Sequence, residues 1–132
     1  MAIIRSRYNP KFLKYIELFV KVGADSRIFP KKCATCGQVF RNFPEYIHRT
    51  EAVSEGLADY SGVLDLPRTM QYRNCSCGST LTILFTKEVY PLLDKFWEML
   101  GMEAKETNRP LVEVVTEFRQ QCNRYIHEMD RQ

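Results

Sequence analysis

Apolar residues recur at helical spacing in three stretches of this chain, and the region between the first and second stretches has a different character. Phe12, Leu13, Ile16, Phe19 and Val20 form one stripe, with Lys11, Lys14, Glu17 and Lys21 on the opposite side. This pattern predicts an amphipathic helix over 10–22, with Gly23 placed to end it. Leu92, Leu93, Phe96, Trp97 and Leu100 predict a second helix over 91–100, with Gly101 as its stop. A third is predicted over 110–129, where Leu111, Val114 or Val115, Phe118, Cys122, Tyr125 or Ile126, and Met129 recur in steps of three and four. A stripe of that length suits either the core of its own chain or helix–helix dimerisation. Leu111, Val115, Phe118, Cys122, Ile126 and Met129 are the positions it would offer a partner.

Between 28 and 84 turn residues cluster and helical periodicity is confined to one short segment. Asn42-Phe43-Pro44-Glu45 combines a capping Asn, a Pro suited to the first turn and a Glu placed to complete a capping box, so a helix of two or three turns is expected there. The stretches 69–73 and 79–85 read as strands, because Thr80, Thr82, Ile83 and Phe85 suit a half-buried pleated surface. They flank a pair of cysteines as the arms of a hairpin. The fold expected is α+β: one N-terminal helix, a central hairpin module over 28–85 and a C-terminal helical pair over 89–130, all within a single domain.

Composition bounds the functional classes. At 132 residues, with 45% hydrophobic residues and sixteen aromatics, the chain can bury one real core without disulfides. Six Gly and six Pro argue against a disordered or linker-rich chain. The net charge of +3 conceals an asymmetry: residues 1–32 carry eight Lys/Arg against two Asp/Glu, whereas 33–81 and 82–132 are each slightly acidic. That basic quarter suits an acidic partner, nucleic acid or a membrane surface, and equally the solvated side of a helix. Lys14 and Glu17 interrupt the most apolar stretch, so no membrane span is expected, and Met1 to Arg7 offer no apolar run of signal-peptide length, so no export is expected. The cysteines are therefore expected in a reducing cytoplasm, where close spacing points to metal before disulfides.

Four of the five cysteines form two tight pairs, Cys33-Ala34-Thr35-Cys36-Gly37 and Cys75-Ser76-Cys77-Gly78. Two such pairs supply the four thiolates of a tetrahedral Zn²⁺ site with Zn–S bonds of roughly 2.3 Å. The glycine after each pair can take φ > 0 and turn backbone N–H groups toward the sulfurs. One zinc ion per chain, held by Cys33, Cys36, Cys75 and Cys77, is the expectation. Four thiolates also suit an iron site or a thiol redox switch, whereas haem attachment needs a His where Gly37 stands. The arrangement resembles a zinc ribbon, in which two cysteine knuckles at hairpin tips share one metal, and the resemblance covers 33–84. It departs from the common pattern in its CxC knuckle and in the 38 residues between the pairs. The longer loop costs only about 0.8 kcal/mol more than one of about 15 residues, against roughly 10–16 kcal/mol for binding a structural zinc. The stretch 72–81 resembles a segment of small uncharacterised bacterial proteins associated with signalling. The combination of CxxC and CxC is similar, in ligand types alone, to the zinc centre of the heat-shock redox-regulated chaperone.

The other reactive side chains point away from catalysis. Cys122 reads as a buried small hydrophobe, His48 as a residue near the metal and not its ligand, and His127 as solvent-facing. Neither histidine has a nucleophile beside it in sequence, no phosphate loop or metalloprotease motif occurs, and a four-thiolate site leaves no open coordination position. The expectation is a non-enzymatic zinc-binding module for regulation or signalling, acting on a protein partner or as a homodimer, with no small-molecule substrate. Nucleic-acid binding is the alternative, through Arg5, Arg7, Tyr8, Lys11, Lys14, Lys31, Lys32, Arg41, Arg49 and Arg73. A sensor that releases zinc when its thiolates are oxidised is the other.

Overall fold

The computed structural model describes residues 3–22, 28–59, 69–84 and 87–129. The fold is α+β, with four helices and two small antiparallel sheets among the described residues. Helix α1 spans Pro10–Val22, as its periodicity predicts. Asn9 precedes it and accepts the Lys11 N–H on Oδ1 at 3.0 Å, which satisfies one of the unpaired donors of the first turn. The same residue fastens α1 to the C-terminal half of the chain: its N–H donates to Gln121 Oε1 at 3.0 Å and its Nδ2 to Glu103 Oε2 at 3.1 Å. Gly23 and Phe85, assigned above to a helix end and a strand, lie outside the described residues, as does Arg27 of the basic quarter.

Strands β1 (Lys31–Lys32) and β2 (Val39–Phe40) pair as a minimal hairpin. Helix α2 (Phe43–Arg49) follows, capped by Asn42, whose Oδ1 accepts the Glu45 N–H at 2.9 Å. Next come β3 (Thr50–Asp59), β4 (Thr69–Cys75) and β5 (Thr80–Leu84), a three-stranded sheet in that order. The hairpin of β4 and β5 is the one expected around the second cysteine pair, with Leu81 and Ile83 on its buried face. Strand β3 has no counterpart in the sequence reading. Its register against β4 shifts between Ala52 and Leu57, so an irregularity with Gly56 inside it breaks the strict alternation that identifies a strand.

Helices α3 (Tyr90–Glu106) and α4 (Leu111–Met129) close the fold. Gly101 does not end α3, which continues for five more residues. Leu100 and Glu103 are buried, and the packing of this last turn offsets the cost of about 1 kcal/mol for an interior glycine. Asn108 is the actual terminator. With φ of 52° it turns the chain so that the Arg109 N–H reaches the Ala104 carbonyl at 2.9 Å and the Asn108 N–H reaches Lys105 at 3.3 Å, a Schellman closure.

Helix α4 packs against β3, α3, α1 and α2 and is the element around which the others gather. Val115, Phe118, Cys122 and Ile126 of its stripe are buried inside this chain, while Leu111 is 44% exposed and Met129 half-buried. Of the two uses open to that stripe, its central residues serve the internal core. Phe12, Phe96 and Phe118 form the middle of the helical region, and one contiguous apolar cluster continues from there through Tyr46 and Phe40 to Cys33 and Cys75.

Candidate metal centre

The two cysteine pairs sit at the tips of the two hairpins. Cys33 leaves β1 and Cys75 ends β4, and each opens a tight turn closed by its own backbone. In the first, the Cys33 N–H donates to the Gln38 carbonyl at 2.9 Å and the Gly37 N–H to the Cys33 carbonyl at 2.8 Å. In the second, the Cys75 N–H donates to Ser79 at 2.8 Å and the Gly78 N–H to Cys75 at 2.9 Å. The CxC turn thus has the same double closure as the CxxC turn with one residue fewer. Gly37 and Gly78 have φ of 78° and 94°, the left-handed conformation that the spacing requires and that other residues adopt only with strain.

These turns bring all four sulfurs within 4.8 Å of one another. Cys33 Sγ lies 3.7 Å from Cys77 Sγ, and Cys36 Sγ lies 3.7 Å from Cys75 Sγ. Sulfurs at the corners of a tetrahedron with bonds of roughly 2.3 Å are about 3.8 Å apart, whereas bonded disulfide sulfurs are about 2.05 Å apart. The donor set and its spacing therefore fit a metal ion, and all four cysteines are free thiols. The first cysteine of each pair is buried and the second exposed, so the cluster has an inner wall on the core and an outer wall at the surface.

Electrostatics reinforce the fit. The Cys36 N–H, followed by that of Thr35, holds the Cys33 thiol below its ordinary value, against the opposing effect of burial. The Ser79 hydroxyl and then the Ser79 N–H pull Cys77 down to about 6. At Cys36 the Gln38 N–H favours the thiolate, yet burial and the neighbouring thiols Cys75, Cys33 and Cys77 prevail and push it up to about 11. Four sulfurs this close cannot all be anionic on their own, and a bound cation removes that restriction.

His48 is not part of the cluster. It lies exposed on α2 with its ring 4.2 Å, centroid to centroid, from that of His127 on α4, a contact with no signal in the sequence. Cys122 is buried, and its desolvation pushes the thiol up to about 12, as suits a core residue.

The candidate basic surface is divided by the fold. Arg5 Nη2 lies 3.0 Å from Glu17, and Lys11 Nζ lies 2.7 Å from Glu106 and 3.8 Å from Glu103. Arg41 and Arg49 both contact Glu45. Lys14 reaches over the Tyr15 ring, and Arg7 is exposed. Lys31 is half-buried, with its ammonium lowered by desolvation, and Lys32 is exposed beside the first cysteine turn. Tyr8 and Arg73 are 4% and 3% exposed and cannot contact a nucleic acid from the surface. Arg73 instead spans α2 and β3 from below: Nε donates to Thr50 Oγ1 at 2.6 Å, and Nη2 to the carbonyls of Thr50 at 2.8 Å and Ile47 at 3.2 Å.

Fold and site together define an α+β chain with a tetracysteine cluster positioned to bind a metal ion. In comparisons with known proteins, no family model, no curated protein and no solved structure matches this chain. Among the described residues, no helix is long and apolar enough to cross a membrane.

Proposed function

We propose that the chain holds one zinc ion through Cys33, Cys36, Cys75 and Cys77, and that it is a non-enzymatic module for regulatory or signalling interactions with a protein partner. The observation that carries the metal reading is the 3.7 Å spacing of two sulfur pairs contributed by separate hairpins. Bound zinc supplies a rigid cross-link between those hairpins and neutralises thiolate charge. The cysteines bind, Gly37 and Gly78 shape the turns, and Ser79 together with the backbone N–H groups of Thr35, Cys36 and Gln38 stabilises the sulfurs. Exposed Leu111, Val112 and Met102 leave apolar surface at the α3–α4 end, which supports a protein partner over a nucleic acid, since four of the candidate cations already face carboxylates. Native mass spectrometry of freshly purified protein is expected to show one zinc per chain. Iron, or no metal after purification without chelators, overturns the assignment.

A sensor role has one observation in its favour, the exposure of Cys36 and Cys77 on the outer wall. In that reading hydrogen peroxide takes two electrons from each pair of thiolates, is reduced to water, and leaves disulfides that can no longer hold zinc. Stoichiometric zinc release within minutes at micromolar peroxide is its mark, and release only at denaturing peroxide concentrations rejects it.

A further inference from the structure

Beside the cysteine cluster lies a chain of polar contacts that reaches from the surface of α2 to one sulfur. Arg49 Nε and Nη2 meet the Gln38 side-chain oxygen at 2.9 and 2.6 Å. A guanidinium carries donors only, so it dictates which end of the amide faces it. The amide nitrogen is then turned the other way, 3.4 Å from Cys75 Sγ and 3.3 Å from Ser76 Oγ. Arg49 is itself held by Glu45, whose Oε1 accepts from Nη1 at 3.3 Å while Oε2 accepts from Arg41 Nε at 2.9 Å. Cys75 is the buried sulfur of the second turn.

We propose that Gln38 is an outer ligand-supporting residue of the metal centre, donating its amide N–H to the Cys75 thiolate, and that Arg49 is the positioning residue that fixes the amide in this orientation. The inference rests on the metal reading above, since an N–H aimed at sulfur suits a metal-bound thiolate, which accepts, better than a thiol, which must also donate. It also gives the first cysteine turn a role at the second: Gln38 follows Gly37 in one hairpin and supports the sulfur of the other. A residue of α2 thereby influences how firmly the centre holds its metal.

The test compares wild type, Gln38→Met, Arg49→Met and the double variant as full chains loaded with zinc or cobalt(II). Partners that support a metal ligand are typically worth 10–100-fold in affinity. Each single variant is expected to surrender zinc to a chromogenic chelator roughly tenfold faster than wild type, and the double variant to match the singles, because Arg49 acts through Gln38. In the cobalt proteins the sulfur-to-metal charge-transfer band is expected to move to longer wavelength in all three variants, a shift that simple loosening of α2 would not produce. Gln38→Glu keeps the Arg49 contact but presents an oxygen to Cys75, so it is expected to fold and also to release metal faster. Wild-type release rates and an unshifted band in Gln38→Met and Gln38→Glu overturn the proposal, and multiplicative effects in the double variant overturn the relay. A wild-type protein that takes up neither metal removes the metal reading itself, a different outcome from either of these.

Discussion

Removing the proposed zinc with a strong chelator is expected to release the hairpin of β1 and β2 and the turn between β4 and β5, while leaving most of the helical signal in place. The first hairpin has only two residue pairs, Lys31 with Phe40 and Lys32 with Val39, far fewer than an isolated hairpin needs in water. What holds it is the cluster at its tip and the burial of Phe40 against Tyr46, whose rings are 5.3 Å apart edge to face. By contrast α1, α3 and α4 are joined by direct ring contacts of Phe12, Phe19, Phe96 and Phe118, and none of the four clustered cysteines lies on these helices. Binding a structural zinc releases roughly 10–16 kcal/mol, comparable to the ~5–15 kcal/mol net stability of a whole domain. Even a free zinc concentration a thousandfold above Kd adds about 4 kcal/mol, a rise in Tm on the order of 10–15 °C for a chain of this size. Cys75→Ser should reproduce the loss without chelator, because it removes an inner-wall sulfur. Amide exchange of residues 31–40 and 75–79, measured with and without metal, is the readout, and equal protection and equal Tm in both states would falsify the structural role of the metal.

The second large effect is expected from Phe96→Ala. Phe96 has no exposed surface, and its ring meets four others: Phe118 at 4.8 Å, Phe19 at 4.9 Å, Trp97 at 5.4 Å and Tyr15 at 5.7 Å. It is the point where α1, α3 and α4 converge. Truncation removes the ring's transfer free energy and leaves a cavity that three helices cannot close together, at a cost of about 3–5 kcal/mol. The metal-loaded protein should therefore melt roughly 10–20 °C lower. Phe96→Leu, which keeps much of the volume, should cost far less. An unfolding free energy from denaturant titration within about 0.5 kcal/mol of wild type for Phe96→Ala would show that this ring cluster is not the centre of stability.

The readings that carried over from sequence to structure share a physical property: the interactions behind them are local. The stripe from Phe12 to Val20 predicts α1, because amphipathic spacing is a property of the helix itself. Asn42 and Glu45 predict α2, because a cap joins residues three apart. Gly101 does not end α3 because a stop signal competes with burial, and the buried contacts of Leu100 and Glu103 lie in no sequence window. Strand β3 leaves no clear signal in the sequence for the same reason. Its pairing partner is ten or more residues away, and its irregular register hides the alternation that would have announced it.

The cysteines show the division most clearly. Two tight pairs, each followed by glycine, specify two turns with thiolates close together, and this much is settled by neighbours in the chain because the turn geometry is local. Bringing the two turns to 3.7 Å, turning Cys33 and Cys75 inward and Cys36 and Cys77 outward, and setting Gln38 of one hairpin against Cys75 of the other required the packed fold. The same applies to the charges: Arg73 is an unremarkable basic residue in the sequence and a buried tie between α2 and β3 in the molecule. Residue spacing along a chain encodes what a few neighbouring residues can do together. Which distant groups meet, and which face the core, depends on burying one shared apolar surface, and that sum is made only when the whole chain has folded.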